Sequence, residues 1–274
     1  MTDPFVRGGA EGDAALSFGP YELVRRLRPS PLAERFLVLH PERLTHHVGY
    51  RFALAEGEDR ERFLKTIERS ACLSAAHLLP VEQFSLASAG EAWVISPFTG
   101  DTDGLLLLQD HQADKGGLLD SAEVIRALGQ LLEASQAGAS CGLCHGPVAL
   151  HEVQIDRRGS LQIELYGVAR ALGSAGAIGD DRRDEIRSIV AIGYELVTGV
   201  KPESAALDAS RLVSDIDPKL SGFLRVGLDP DRGYSSAEQA LGALTHGVPA
   251  EPEIEVRATT TRRGLSLPRR RSRL

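Results

Sequence analysis

The stretch "DEIRSIVAIGYELVTG", residues 184–199, is apolar nearly all round. A helix on a protein surface carries one apolar stripe; a helix with apolar residues on every side has to be enclosed by other elements. This segment therefore predicts the axis of a helical lobe, with Gly199 placed to end it. Aromatic residues make up only 5% of the chain, so the core around that axis has to be built mainly from Leu, Val, Ile and Ala. The neighbouring pattern agrees. Residues 120–137 place Val124, Leu128, Leu131 and Ser135 on one helical face that ends near Gly138, and Ser235 and Glu238 stand at capping-box spacing before a last helix.

The first third reads differently. "YELVRRLRPSPLAERFLVLH" (21–40) predicts two short strands around a turn at Pro29-Ser30-Pro31, and "HHVGYRFAL" (46–54) a third strand. Residues 58–79 predict a helix with Phe63, Ile67, Ala71 and Leu78 on one side, and "AWVISPF" (92–98) a buried strand. Strands first and helices afterwards make an α+β chain of two lobes, a strand-rich N-lobe over 18–97 and a helical C-lobe over 98–247.

Of the 274 residues, 42% are hydrophobic and 25% charged, the balance of an ordinary globular protein. No run reaches the roughly 18 apolar residues of a membrane span, so no transmembrane segment is expected. The start, "MTDPFVRGGAEGDAAL", lacks the basic and apolar regions of a signal peptide. With an odd number of cysteines, three, this points to the cytoplasm. Residues 1–17 and 248–274 are expected to be disordered. Seven arginines and no acid lie in 257–274; taken from the 31 basic residues they leave 24 against 38 acidic ones. The acidic body thus carries a cationic tail, for which a solvated end is favoured over contact with nucleic acid or another anionic surface.

Several strings, in this order, resemble the bacterial, eukaryotic-like serine/threonine protein kinases over about residues 18–246. "ERFLKTIERSACLSAAHLLPV" (61–81) is similar to that family's regulatory helix and following strand. "ELYGVARAL" (164–172) is similar to its Asp-Phe-Gly segment, "IGYELVTGVKP" (192–202) to the end of its central helix, and "LDPDRGYSSAEQALGAL" (228–244) to its last helices. The resemblance implies a bilobal kinase-like domain over 18–247. It also places Cys141-Gly-Leu-Cys144-His145, whose spacing is that of c-type haem attachment, at the family's catalytic loop. Haem is disfavoured there, because attachment needs export and a second axial ligand. A zinc site is equally poor, since four ligands are needed and no second Cys-x-x-Cys exists. No metal is expected.

On that frame most charged parts of phosphoryl transfer are exchanged. Pro147 stands for the catalytic-loop Asp, with Gly146 before it. Leu165 stands for the metal-holding Asp, ahead of Tyr166 and Gly167, and Glu152 for the second metal ligand. Arg28, Ser30 and Ala33 take the positions of the glycine-rich loop, with Pro29 and Pro31 removing donors. Arg51 takes the strand lysine and Thr66 its glutamate partner, Glu68 facing elsewhere. The parts kept are structural: His145, Tyr166 and Gly167, Glu185 (or Asp184 beside it) holding the catalytic loop, and Arg232. The chain is thus expected to be a pseudokinase, not an enzyme: a regulatory or scaffolding module that binds a protein partner. Its cleft, lined by Arg51, Ile95, Ser96, Pro97 and Glu152, is expected to hold either nothing or ATP without magnesium. The alternative is a weak serine/threonine kinase, or another nucleotide-transfer enzyme, with displaced residues. Blander readings stand beside these. Arg51 pairs with a nearby acid, Glu152 is a solvated carboxylate, His46-His47 is a solvated pair and Cys72 is a small core residue. Thr259, Thr260 and Thr261 lie in an ordinary tail rather than at phosphorylation sites.

Overall fold

The computed structural model describes residues 18–54, 57–86, 90–101, 104–172, 178–203 and 206–247. The readings of 1–17 and of the arginine tail with its threonines lie outside these residues. Five antiparallel strands open the fold: β1 (Glu22–Arg26), β2 (Glu34–His40), β3 (Thr45–Ala53), β4 (Gln83–Leu86) and β5 (Glu91–Pro97), in the spatial order β1-β2-β3-β5-β4. Their side chains alternate between two faces. The outer face gathers Phe18, Tyr21, Phe36, Val38 and Ile95, with Trp93 beside them. The inner face gathers Leu37, Val48, Tyr50, Phe52 and Val94 against Phe63 and Ile67 of helix α1 (Glu58–Ala71). Gly49 is small for a reason: a Cβ there would come within 2.9 Å of the Phe18 ring.

The helical part comprises α2 (Leu108–Asp114), α3 (Ser121–Ser140), α4 (Val168–Leu172), α5 (Ile178–Thr198), α6 (Pro218–Leu228) and α7 (Ala237–His246). Between α3 and α4 lies a hairpin of β6 (Val153–Ile155) and β7 (Leu161–Ile163). Helix α5 contains the apolar segment read from the sequence and buries Ile186, Ile189, Val190, Ile192, Leu196 and Val197 at the centre of this lobe. Helix α3 packs along it through Val124, Leu128, Leu131 and Leu132. The start of α3 is fixed by Asp120, whose carboxylate accepts the Glu123 N–H at 2.8 Å while Glu123 reaches back to the Asp120 N–H. No helix among the described residues is long and apolar enough to cross a membrane.

Two local expectations shift. Helix α1 stops at Ala71 instead of running to residue 79, because Leu78 and Leu79 extend to pair with β7, the Leu79 N–H bonding the Ile163 carbonyl at 2.9 Å. Backbone that joins a strand ladder cannot also serve a helix, so the turn at Cys72 is left exposed and Cys72 is not a core residue. The cap of α7 is Ser236, whose hydroxyl accepts the Gln239 N–H; Ser235 bonds the Gln239 side chain instead.

Candidate functional site

The lobes face each other across the inner face of the sheet, and strand alternation decides what that face presents. In β2, Arg35 and Leu37 point inward; in β3, Val48 and Tyr50 do so opposite them. Below lie Gln154 of β6 and Glu164, which follows β7. The Arg35 guanidinium donates to the Glu164 carboxylate, to the His151 carbonyl at 3.0 Å and to the Arg28 carbonyl at 3.4 Å. Glu164 also accepts from Tyr50 Oη at 3.0 Å and from Gln154 Nε2 at 2.7 Å, and Thr99 donates to Gln154 Oε1 at 2.9 Å. The Arg35 and Glu164 side chains are 1% and 2% exposed. Burial lifts the Glu164 carboxyl above its ordinary range, against the pull of Arg35, Gln154 and Tyr50. Burial, reinforced by Glu164, pushes the Tyr50 phenol well up. The interior of the interlobe cleft is thus occupied by a polar plug made of the chain's own side chains.

The turn before β2 spends its own donors. Ser30 N–H bonds the Ala33 carbonyl and Ala33 N–H bonds Ser30 Oγ, both at 3.0 Å, while Pro29 and Pro31 have no N–H. Arg28 at its mouth pairs with Asp110 of α2 at 2.8 Å, tying the turn to the helical lobe. A loop whose amides are absent or engaged in this way makes no phosphate cradle.

The segment from 141 to 152 is held from α5. Glu185, 1% exposed, accepts the His145 N–H at 2.8 Å, the Cys144 thiol at 3.0 Å and the Tyr166 hydroxyl at 2.5 Å. Its neighbour Asp184 is exposed. His145 packs on Tyr166 with ring centres 5.3 Å apart, and its Nδ1 accepts the Gly167 N–H at 3.1 Å. Tyr166 needs Gly138 of α3 beneath it, where a Cβ would come within 2.2 Å of the ring. Pro147 is exposed and offers neither carboxylate nor N–H. Leu165 is buried among apolar side chains of both lobes at φ 49°, a backbone region that disfavours L-residues. Arg232, exposed, sits in the turn after α6, where Asp229 accepts its N–H.

Burial and Glu185 push the Cys144 thiol up to about 12, while Cys72 and Cys141 are exposed. A thiol held protonated and buried is neither a nucleophile nor a haem anchor. Alkylation of the folded protein near pH 8 followed by mass spectrometry is expected to modify Cys72 and Cys141 and to spare Cys144. Rapid modification of all three would mean that Glu185 does not hold the thiol.

Several residues assigned to the cleft stand elsewhere. Arg51 follows inward-facing Tyr50 and points to the opposite face of the sheet, where it pairs with Glu34 and Glu91. Ile95 likewise belongs to the outer face. Ser96 is buried opposite Val48, and Pro97, half-buried, ends β5 opposite His47. Glu152 is buried rather than solvated and turns back on its own loop, accepting the Ala149 N–H at 2.9 Å and lying 3.5 Å from His145 Nε2. Burial works against its charge, yet the His145 ring and the Ala149 N–H hold its carboxyl below the ordinary range. Thr66 faces the Gly167 turn, as a residue of that helix face should, while Glu68 is exposed. His47 is not half of a solvated pair; it is buried against Tyr21, with its Nδ1 2.7 Å from the Glu82 carboxylate. The sequence reading missed Arg35, Tyr50, Gln154 and Glu164. One signal was available for Arg35: in "ERFLVLH" it shares the alternation of Leu37, an inward position where an arginine has to find a partner.

A nucleotide carrying a divalent metal needs oxygen ligands aimed into the cleft and room for its phosphates. Here the two positions for which the resemblance implied metal ligands carry a buried leucine and a self-bonded glutamate, and Arg35 fills the space. In this conformation the residues do not fit that group.

No family model matches the chain. It is 21% identical to the probable serine/threonine-protein kinase pknA2 of Bifidobacterium longum over 85% of its own length, and spans 36% of that relative's. Among solved structures it is similar to the kinase domain of Mycobacterium tuberculosis PknI, with a TM-score of 0.70 at 21% identity, covering 87% of this chain and all of that one. A mutant of the same domain gives a TM-score of 0.71 at the same identity, covering 87% of this chain and 99% of that one. The chain therefore has the protein-kinase fold, α+β and bilobal, and is similar in sequence to bacterial serine/threonine kinases. These matches correct one expectation. The proteins that the chain resembles are named as kinases and kinase domains, which points to an enzyme and overturns the reading of a non-enzyme.

Proposed function

We propose that the chain is a cytoplasmic regulatory module of bacterial signalling, built on the serine/threonine-kinase scaffold, that works through a protein partner and whose interlobe cleft is closed by its own side chains. The observation that carries this is the plug: Arg35 is bonded at once to Glu164 and to the His151 carbonyl, so it joins the strand lobe to the helical lobe through the space between them. Inside the cleft each ion is bonded by the other and by neutral groups, so closure leaves neither without a partner. Opening breaks these bonds, and a partner that pulls the 28–35 turn away from α2 supplies the drive. Phosphoryl transfer, the activity that the relatives' names carry, waits on that opening.

A ligand that binds only the folded protein raises its melting temperature by mass action. ATP, with or without magnesium, is expected to leave the melting temperature of the isolated chain unchanged. The variant Arg35→Met/Glu164→Gln, which removes the plug without stranding a charge, is expected to show a nucleotide-dependent rise. A rise of equal size in the unaltered chain would overturn the closed-cleft reading. The second reading, a kinase with displaced residues, is favoured by the relatives' names and by the two carboxylates, Glu152 and Glu164, kept beside the cleft. Transfer of label from γ-labelled ATP to protein by the unaltered chain would decide for it.

A further inference from the structure

Beside the plug, where the segment joining the lobes meets the outer end of the sheet, lies an open concavity of about 550 Å³. That volume falls in the range of small-molecule sites, about 300–1,000 Å³. Half-buried Phe98 and the nearly enclosed Leu37 lie in its wall, and Arg25, His46, Arg157 and Arg158 line it as well. Two carboxylates, Asp101 and Asp156, also lie on the wall, but each caps backbone of its own turn. Asp156 accepts the N–H groups of Arg158 and Ser160, both at 2.8 Å, and Asp101 accepts the Gly104 N–H at 3.2 Å. Arg157 is braced by a bond from Nε to the Gly100 carbonyl at 3.0 Å, which leaves its two Nη groups for a ligand. A guanidinium fixed by one nitrogen and open at the other two is set up for a charge-assisted, two-point contact with phosphate or carboxylate.

We infer that this concavity is a binding site for a small aromatic anion, its ring against Phe98 and its phosphate or carboxylate between Arg157 and Arg158. Two walls of the site belong to different lobes: Leu37 comes from β2, two residues after Arg35, and Arg157 and Arg158 come from the β6–β7 turn. A bound anion would bridge strand lobe and helical lobe on the same side as the segment that joins them. Neither the plug nor its opening is required for binding, so this site stands or falls separately from the closed-cleft reading.

The test uses phenyl phosphate as probe, with inorganic phosphate and phenol as its two halves, titrated calorimetrically into the full chain. Phenyl phosphate is expected to bind more tightly than either half, and less tightly as salt is raised. Arg157→Gln and Arg158→Gln are each expected to weaken it about tenfold, the size of one charge-assisted hydrogen bond. Arg35→Met/Glu164→Gln is expected to leave it unchanged. Both rim arginines are exposed, so these variants should keep the parent melting temperature. Absence of binding, binding untouched in the Arg157→Gln/Arg158→Gln double variant, or equal binding of inorganic phosphate would each overturn the assignment.

Discussion

Arg35→Ala is expected to lower the unfolding free energy by about 3–5 kcal/mol, the cost of leaving one member of a buried ion pair without its partner. The reason is what stays behind. Glu164 would keep its Tyr50 and Gln154 donors but lose its only guanidinium, in a site where burial already disfavours its charge. The carboxyl would then take up a proton more readily, so the loss should be larger at neutral pH than in mild acid. Arg35→Met/Glu164→Gln should recover most of the loss, because it removes both charges and keeps an oxygen that accepts from Tyr50. Urea denaturation of the two single variants and the double variant gives the coupling directly. A single-variant loss under about 1 kcal/mol, the usual value of an exposed pair, would mean that water reaches Arg35 and that the cleft stands open in solution.

The second large effect is expected at Glu185. Its two oxygens serve the His145 N–H, the Cys144 thiol and the Tyr166 hydroxyl, all buried. Glu185→Ala removes every one of those acceptors at once. Each stranded buried donor costs about 1–3 kcal/mol, so the total should reach at least about 3 kcal/mol. Glu185→Gln keeps one accepting oxygen and should lose distinctly less. Alkylation of Cys144 gives an independent readout. In Glu185→Ala the thiol loses both the carboxylate that raises its pKa and the bond that buries it, and labelling should rise even in molecules that remain folded. Unchanged stability and unchanged labelling together would show that the segment from 141 to 152 is anchored by something other than α5.

The apolar helix was legible because its signal is local, a run without a polar face; its buried glutamate came only through the resemblance, which left Glu185 and Asp184 open until the structure buried the first and exposed the second. The strand lobe was legible for the same reason, since alternation and turn residues lie within a few positions of one another. The site was less so. A strand shows its residues to alternate faces, and a shift of one position exchanges cleft for outer surface. That single step separates Arg51, which pairs with Glu34 and Glu91 away from the cleft, from Tyr50, which reaches Glu164.

What the chain's order of residues determined alone was the α+β division, the buried axis of the helical lobe, and the absence of acidic groups at positions 147 and 165. What only the tertiary structure decided was the state of the cleft. Arg35 and Glu164 are 129 positions apart, and no local pattern announces that two such groups will meet. Their pairing exists because burial makes either charge costly without the other. That cost arises only once the two lobes have closed around them.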